Sequence, residues 1–235
     1  MAAMGEMIEN IAHQWRQPLS VISTISSSLK IKKEMNILDD KEFYEALQSI
    51  NRTSQHLSNT IDDFRNFFSP NKEMNKFYVS QLIKKSKDLI KSRFDKLNIK
   101  VIEHIDDIEI LSYQNELFQV ILNLFSNSID VLSSSQIENK IIYIKIYHDE
   151  NNLYIEFLDN GGGIKDEFIN RVFEPYFTTK HKSQGTGIGL YMSLQIVTKH
   201  LNGEISVKND TFIENNTAYF GAKFTILLPI NLQNN

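Results

Sequence analysis

Apolar residues recur along the first part of the chain at alternating spacings of four and three. One series is Met4, Ile8, Ile11, Trp15, Pro18, Ile22, Ile25 and Leu29; a second is Phe43, Leu47, Ile50, Ser54, Leu57, Ile61, Phe64 and Phe68. Only Ser54 interrupts the apolar seams. This alternation is the heptad signature, and two such segments joined by a short polar stretch predict an antiparallel helical hairpin. Asn36–Lys41 supplies the turn, with Asp39 or Asp40 as the N-cap of the second helix. A hairpin with a full apolar seam cannot bury it alone. Two copies pairing into a four-helix bundle would.

Ser69-Pro70-Asn71 ends the helical pattern and divides the chain into a domain over 1–70 and another over 71–235. Beyond it the pattern is mixed. Ser80–Leu97 predicts an amphipathic helix with Leu82, Ile83, Leu89, Ile90 and Phe94 on its apolar face. Lys100–His104 and Glu109–Ser112 read as short strands, followed by a strongly apolar helix over Gln114–Leu132. Ile141–His148 and Leu153–Asp159 read as antiparallel strands joined by the turn Asp149–Asn152. A loop-rich stretch, Asn160–Thr186, precedes a helix ending near Leu201, and Glu204–Val207 and Ala218–Leu228 close the chain as strands. The fold class is therefore α+β: a helical hairpin, then a sandwich of helices on one face of a mostly antiparallel sheet.

Composition narrows the function classes. Of 235 residues 41% are hydrophobic and 23% charged, as in an ordinary globular chain. The net charge of −4 gives no general reason to bind nucleic acid or an anionic membrane. With no cysteine there is no disulfide scaffold, thiolate metal site or thiol nucleophile. No apolar run approaches the ~20 residues that span a bilayer, and Met1–Glu6 lacks the basic and apolar regions of a signal peptide. The expectation is a soluble intracellular chain, or the soluble end of a longer one.

Several stretches could carry chemistry. Asp159-Asn160-Gly161-Gly162-Gly163-Ile164 follows a strand directly, so its glycines let backbone approach a ligand closely, and the strand-end carboxylate can accept from an exocyclic amine such as that of adenine. Alone, it reads first as a glycine-rich hairpin with a capping Asp. Gly185-Thr186-Gly187-Ile188-Gly189-Leu190 opens a helix, where backbone N–H groups suit phosphate; it matches neither a P-loop nor a Rossmann fingerprint. Asn123 and Asn127 stand four apart inside an apolar run, so both amides share a face that is costly unless something binds it. Phosphate oxygens and hydrated Mg²⁺ suit an amide pair; a satisfied buried Asn is the plainer reading of each. Phe173–Lys180 offers aromatics that anchor a loop with a polar far side, His181–Gln184, as a lid would have. His13 falls at heptad position f, away from the seam, as a solvated imidazole or a nucleophile. Pro18, five residues on, is expected to kink or loosen the same helix.

The order of these stretches carries more than any one of them. His13-Gln14-Trp15-Arg16-Gln17-Pro18-Leu19, the Asn123/Asn127 pair, Asp159–Gly163, Phe173–Phe177 and Gly185–Leu190 resemble, over essentially the whole chain, the transmitter region of sensor histidine kinases. The resemblance implies a dimerisation and histidine phosphotransfer domain followed by a catalytic ATP-binding domain of the Bergerat fold. It implies a homodimer, ATP and Mg²⁺ as cofactors, a cytoplasmic location, and a response-regulator receiver domain as partner. His13 would accept the phosphoryl group. Asn127 would ligate Mg²⁺ and Asn123 would orient its shell. Asp159 would read the adenine amine, with Gly161 and Gly163 making room for the base. Gly185, Thr186, Gly187, Gly189 and Leu190 would wrap the phosphates, and Lys180 would add charge from the lid.

Three positions depart from the family pattern. Many members carry an acidic residue directly after the histidine, where this chain has Gln14. The position four after it, often Thr or Asn and linked to partner dephosphorylation, is Gln17. Asp130 stands where some members carry a basic residue that helps bind phosphate. An amide cannot act as a general base, so Gln14 and Gln17 leave the proton path open. They keep alive a phosphatase in which one of them orients water, beside a non-catalytic nucleotide-binding scaffold.

Overall fold

The structure, a computed structural model, describes the backbone of residues 2–67, 73–179 and 187–231, and within these the side chains of all but 2–17, 56 and 59–67. Phe68, the Ser69-Pro70-Asn71 break and the far side of the expected lid lie outside the described residues. The chain forms two compact units, the N-terminal helical hairpin and an α/β unit.

In the first unit α1 (Ala2–Glu34) and α2 (Asp40–Phe67) form the predicted hairpin. α1 ends because Asn36 takes a left-handed conformation (φ 57°), which lets Asn36 and Ile37 donate backwards to Lys33 and Lys32. Of the two candidate caps, Asp39 acts: its carboxylate accepts from the Glu42 N–H at 2.7 Å. Lys32 and Glu42 pair across the turn. α1 runs through Pro18 as one helix, without a break at the proline. Among its described seam residues Ile22, Ile25 and Leu29 are half-buried, whereas Phe43 and Leu47 of α2 stay exposed.

The α/β unit holds α3 (Val79–Leu97), α4 (Gln114–Ser134) and α6 (Gly189–Gln195), with a short helix, α5 (Asp166–Ile169), between the last two. Five strands form the main sheet in the order β2 (Ile99–Ile105), β4 (Lys140–His148), β5 (Asn152–Asp159), β7 (Thr217–Pro229), β6 (Glu204–Glu214). All neighbours are antiparallel except β2 and β4, which are joined through α4 and run parallel. Alternate residues Ile142, Ile144, Ile146, Leu153, Ile155 and Phe157 are buried, as one covered face requires. Phe125 ties the layers together: its ring meets Phe94 of α3 edge-on at 5.5 Å and Phe157 of β5 at 5.1 Å. No described helix is long and apolar enough to cross a membrane.

Four features depart from the sequence reading. β1 (Asn75–Tyr78) pairs with β3 (Glu109–Ser112) as a separate two-stranded sheet. β6 runs to Glu214, past Val207, and turns through Asn215-Asn216, both at positive φ, into β7. The helix expected to continue to Leu201 becomes a π turn over Ile196–His200. Leu89, expected on the apolar face of α3, is exposed, since that face is made by Leu82, Ile83, Ser86 and Phe94. Phe125→Ala is therefore expected to cost about 3–5 kcal/mol and Leu89→Ala less than about 0.5 kcal/mol. Equilibrium urea unfolding of both variants checks this; comparable losses would place Leu89 in the core.

Candidate functional site

α4 organises the site because it is apolar on most of its circumference. Leu117, Val120, Ile121, Leu124, Phe125, Ser128, Ile129 and Leu132 are buried, while Asn123 and Asn127 share a half-buried strip to one side. Asn123 Nδ2 donates to the Gly189 carbonyl at 3.3 Å and approaches Ser193 Oγ at 3.4 Å, and the Ser193 hydroxyl itself donates to Gly189 O at 3.0 Å. The first turn of α6, with half-buried Leu190, is thereby tied to α4. Asn127, one turn further along, makes no hydrogen bond within the described chain, so its amide is available. No group of three or more His, Asp or Glu among the described residues could hold a metal. The Asn127 carboxamide oxygen is a hard donor on this strip, and it suits a cation that keeps most of its water and takes its remaining ligands from a bound anion.

On the neighbouring, buried face of α4, Ser128 reaches Asp159. The carboxylate ends β5 and is only 3% exposed. Its Oδ1 accepts from the Gly161 N–H at 2.9 Å and its Oδ2 from Ser128 Oγ at 3.3 Å. Burial pushes the Asp159 carboxyl above the usual carboxylate range, against the opposing effect of these donors and the Ala222 backbone. The loop that follows is pinned twice. Asn160 accepts from Ile141 N and donates to Asn139 O, and Asn209 of β6 bonds both the N–H and the carbonyl of Ile164. Gly161 lies so close to Val131 that a Cβ would meet its Cγ1 at 2.3 Å, and Gly163 sits at φ +80° against Asn209.

The Phe173–Phe177 segment packs as an anchor: Phe173 against Phe224 of β7, Phe177 against Phe168 with Arg171 over its ring. Tyr176, at φ 67°, donates its N–H to Gly187 O at 2.9 Å. Gly187 (φ +66°) approaches the Tyr176 carbonyl within a distance no Cβ would allow. Asn123, Asn127, Asp159, Gly161, Gly163, Gly187, Gly189 and Leu190 thus belong to one unit. His13, Gln14 and Gln17 lie on α1 of the other, with side chains outside the described residues. Lys180, Gly185 and Thr186 are also outside them. The sequence reading missed Ser128, Asn160, Ser193, Asn209 and Arg93. Ser128 had a signal, as a hydroxyl on the buried stripe of α4. Arg93 had none; it donates to Asp130 at 2.9 Å and Ser126 at 3.2 Å, so Asp130 does not face the site as a lone carboxylate.

Comparison with known proteins bears on this arrangement. Residues 112–232 match the family of histidine kinase-, DNA gyrase B- and HSP90-like ATPases, and residues 3–73 match the His Kinase A (phospho-acceptor) domain. The signal transduction histidine-protein kinase AtoS of Escherichia coli is 26% identical over 238 residues, covering 100% of this chain and 36% of AtoS. Sporulation kinase E of Bacillus subtilis is 29% identical over 230 residues, covering 97% of this chain and 29% of the kinase. The chain thus spans about a third of the length of these relatives. The catalytic domain of histidine kinase ThkA superposes with a TM-score of 0.56 at 25% identity, over 68% of this chain and 97% of that one. ThkA in complex with response regulator protein TrrA superposes at 0.71 with 23% identity, over 97% of this chain and 62% of that one, a likeness of fold.

The buried carboxylate generates a prediction that is independent of any ligand. An acid whose folded-state pKa lies above its unfolded value holds its proton more tightly when folded. Its contribution favours folding at low pH and opposes it once pH has risen through the folded value. Relative to the parent chain, Asp159→Asn is expected to gain Tm as pH rises from the ordinary carboxylate range toward neutral. Scanning calorimetry across that range checks it; a Tm difference that does not change with pH would contradict it.

Proposed function

The chain belongs to the family of histidine kinase-, DNA gyrase B- and HSP90-like ATPases, as the transmitter region of a sensor histidine kinase, and from that premise we propose that it is an ATP-dependent protein-histidine kinase core of a two-component system. One observation carries the reading of its site. α4 is bonded through Asn123 to the glycine-box helix and through Ser128 to the strand-end carboxylate. Val131 against Gly161 lies eight residues beyond Asn123, which is about 12 Å along the helix. A nucleotide laid along this strip has its base at Asp159, in the room left by Gly161 and Gly163, and its phosphates at Asn123, Asn127 and the glycine box. Asp159 accepts from the exocyclic amine of adenine and would repel the carbonyl that guanine has there. Asn127 would hold Mg²⁺, which would supply positive charge against the phosphates.

Residues 1–70 dimerise and present His13, and residues 71–235 bind the nucleotide. Pairing is supported by the exposure of Phe43 and Leu47 on a seam that a second hairpin would cover. A neutral imidazole has a free lone pair, so His13 attacks the γ-phosphorus in line. The new P–N bond forms as the bond to the ADP oxygen breaks, and the other ring nitrogen gives up its proton. Gln14 can hold that N–H through its carbonyl oxygen but cannot take the proton, which passes to water or another base. The phosphoryl group then moves to an Asp of a response-regulator receiver domain, a partner class supported by the ThkA complex. We assign the chain to the cytoplasm on the same grounds.

Incubation of the full chain with γ-labelled ATP tests the proposal. Acid-labile label is expected on the protein, absent in His13→Asn, and faster by about ten-fold or more in Gln14→Glu, which restores a proton acceptor. ATP binding without label would favour the non-catalytic scaffold.

A further inference from the structure

Arg93 belongs to none of the motifs above, yet its surroundings direct it to the same strip of α4. Phe94, the next residue, packs on Phe125 and so fixes this part of α3 against α4. From there the Arg93 guanidinium reaches over α4, donating through Nη1 to Ser126 Oγ at 3.2 Å and through Nη2 to Asp130 Oδ1 at 2.9 Å. Successive helical residues are turned by about 100°, which puts Ser126 and Asp130 on the strip beside Asn123 and Asn127 and away from the buried stripe. Asp130 is three residues from Asn127, a spacing at which Cβ atoms are about 5–6 Å apart. The guanidinium is therefore held on the flank of α4 that adjoins the Asn123 and Asn127 strip.

The way it is held suits a ligand contact better than a structural one. The side chains of Arg93 and Asp130 are 43% and 34% exposed, and an ion pair so open to water adds little to stability. Arg93 has five N–H donors, and its two partners leave the remainder unused. The groups on the neighbouring strip are amides, which cannot balance the charge of a polyphosphate. A phosphate oxygen pair matches the guanidinium fork and binds it with charge-assisted hydrogen bonds.

We propose that Arg93 is a phosphate-binding residue of the nucleotide site, parked on Asp130 in the free protein and transferred to the polyphosphate when nucleotide binds. The proposal rests on the nucleotide reading of the site. Asp130 competes with the phosphates for the guanidinium and so sets how readily it is released. This gives the substitutions opposite signs, which a purely structural pair would not show.

The test is competition of ADP and of adenosine, in constant Mg²⁺, against a fluorescent nucleotide bound to the full chain. Arg93→Ala is expected to weaken ADP by about ten-fold and adenosine by less than about two-fold, with Arg93→Lys recovering part of the loss. Asp130→Asn is expected to tighten ADP by about three-fold. Equal losses for ADP and adenosine in Arg93→Ala, or no loss in either, would overturn the contact while leaving the nucleotide site intact. A wild-type chain that binds neither ligand would instead remove the reading on which the contact rests.

Discussion

Burying a carboxyl group at the end of a central strand is expensive unless donors converge on it, and the α/β unit is arranged around that requirement. Asp159 is raised toward its neutral form by burial, and Gly161, Ser128 and the Ala222 backbone oppose the shift. Each donor has a structural consequence. Gly161 can donate because the chain turns sharply after β5, which Asn160 secures by bonding to Asn139 and Ile141. Ser128 can donate because it interrupts the apolar stripe of α4, so the helix is locked in rotation relative to the sheet. β7 comes so close that a Cβ on Gly221 would strike the Asp159 carbonyl at 1.7 Å, and only glycine allows that approach.

Once α4 is locked, the rest of the site follows from helix geometry. With Ser128 facing the sheet, Asn123 and Asn127 must face the α6 side, where Gly189 and Ser193 receive the first of them. The second makes no hydrogen bond among the described residues. The positive φ values of Tyr176 and Gly187 let a backbone bond from Tyr176 N–H to Gly187 O hold the Phe173–Phe177 segment against the start of α6. At the other side, the loop after Asp159 is pinned by several side chains.

The helices were legible because burial imposed a period on the sequence. The two helices of the hairpin, the Asp39 cap and the apolar run of α4 each follow from local rules that tertiary contacts did not override. The glycine-flanked Asp159 was legible because close backbone approach leaves a mark in composition. What escaped was structure whose determinants lie far away in sequence. In β6 the run Lys208-Asn209-Asp210-Thr211 looks like a turn. Its polar groups are instead used by distant partners: Asp210 pairs with Lys208 and with Lys223, which also pairs with Glu156, while Asn209 holds the glycine loop. β1 has one buried side chain, Phe77, and gives no alternation to read. Leu89 was assigned by period alone, but α3 is covered only along the face that ends at Phe94. Arg93 needed the α3–α4 crossing to acquire a meaning.

The central claim is that one ligand lies along the polar strip of α4, between the Asp159 loop and the start of α6. Amide hydrogen exchange of the full chain, with and without saturating Mg²⁺ and ADP, tests it most directly. The account predicts slowed exchange in 159–164 and 187–193, with no change in the β1–β3 pair. Binding of ADP with exchange slowed elsewhere, and neither of these segments affected, would contradict it.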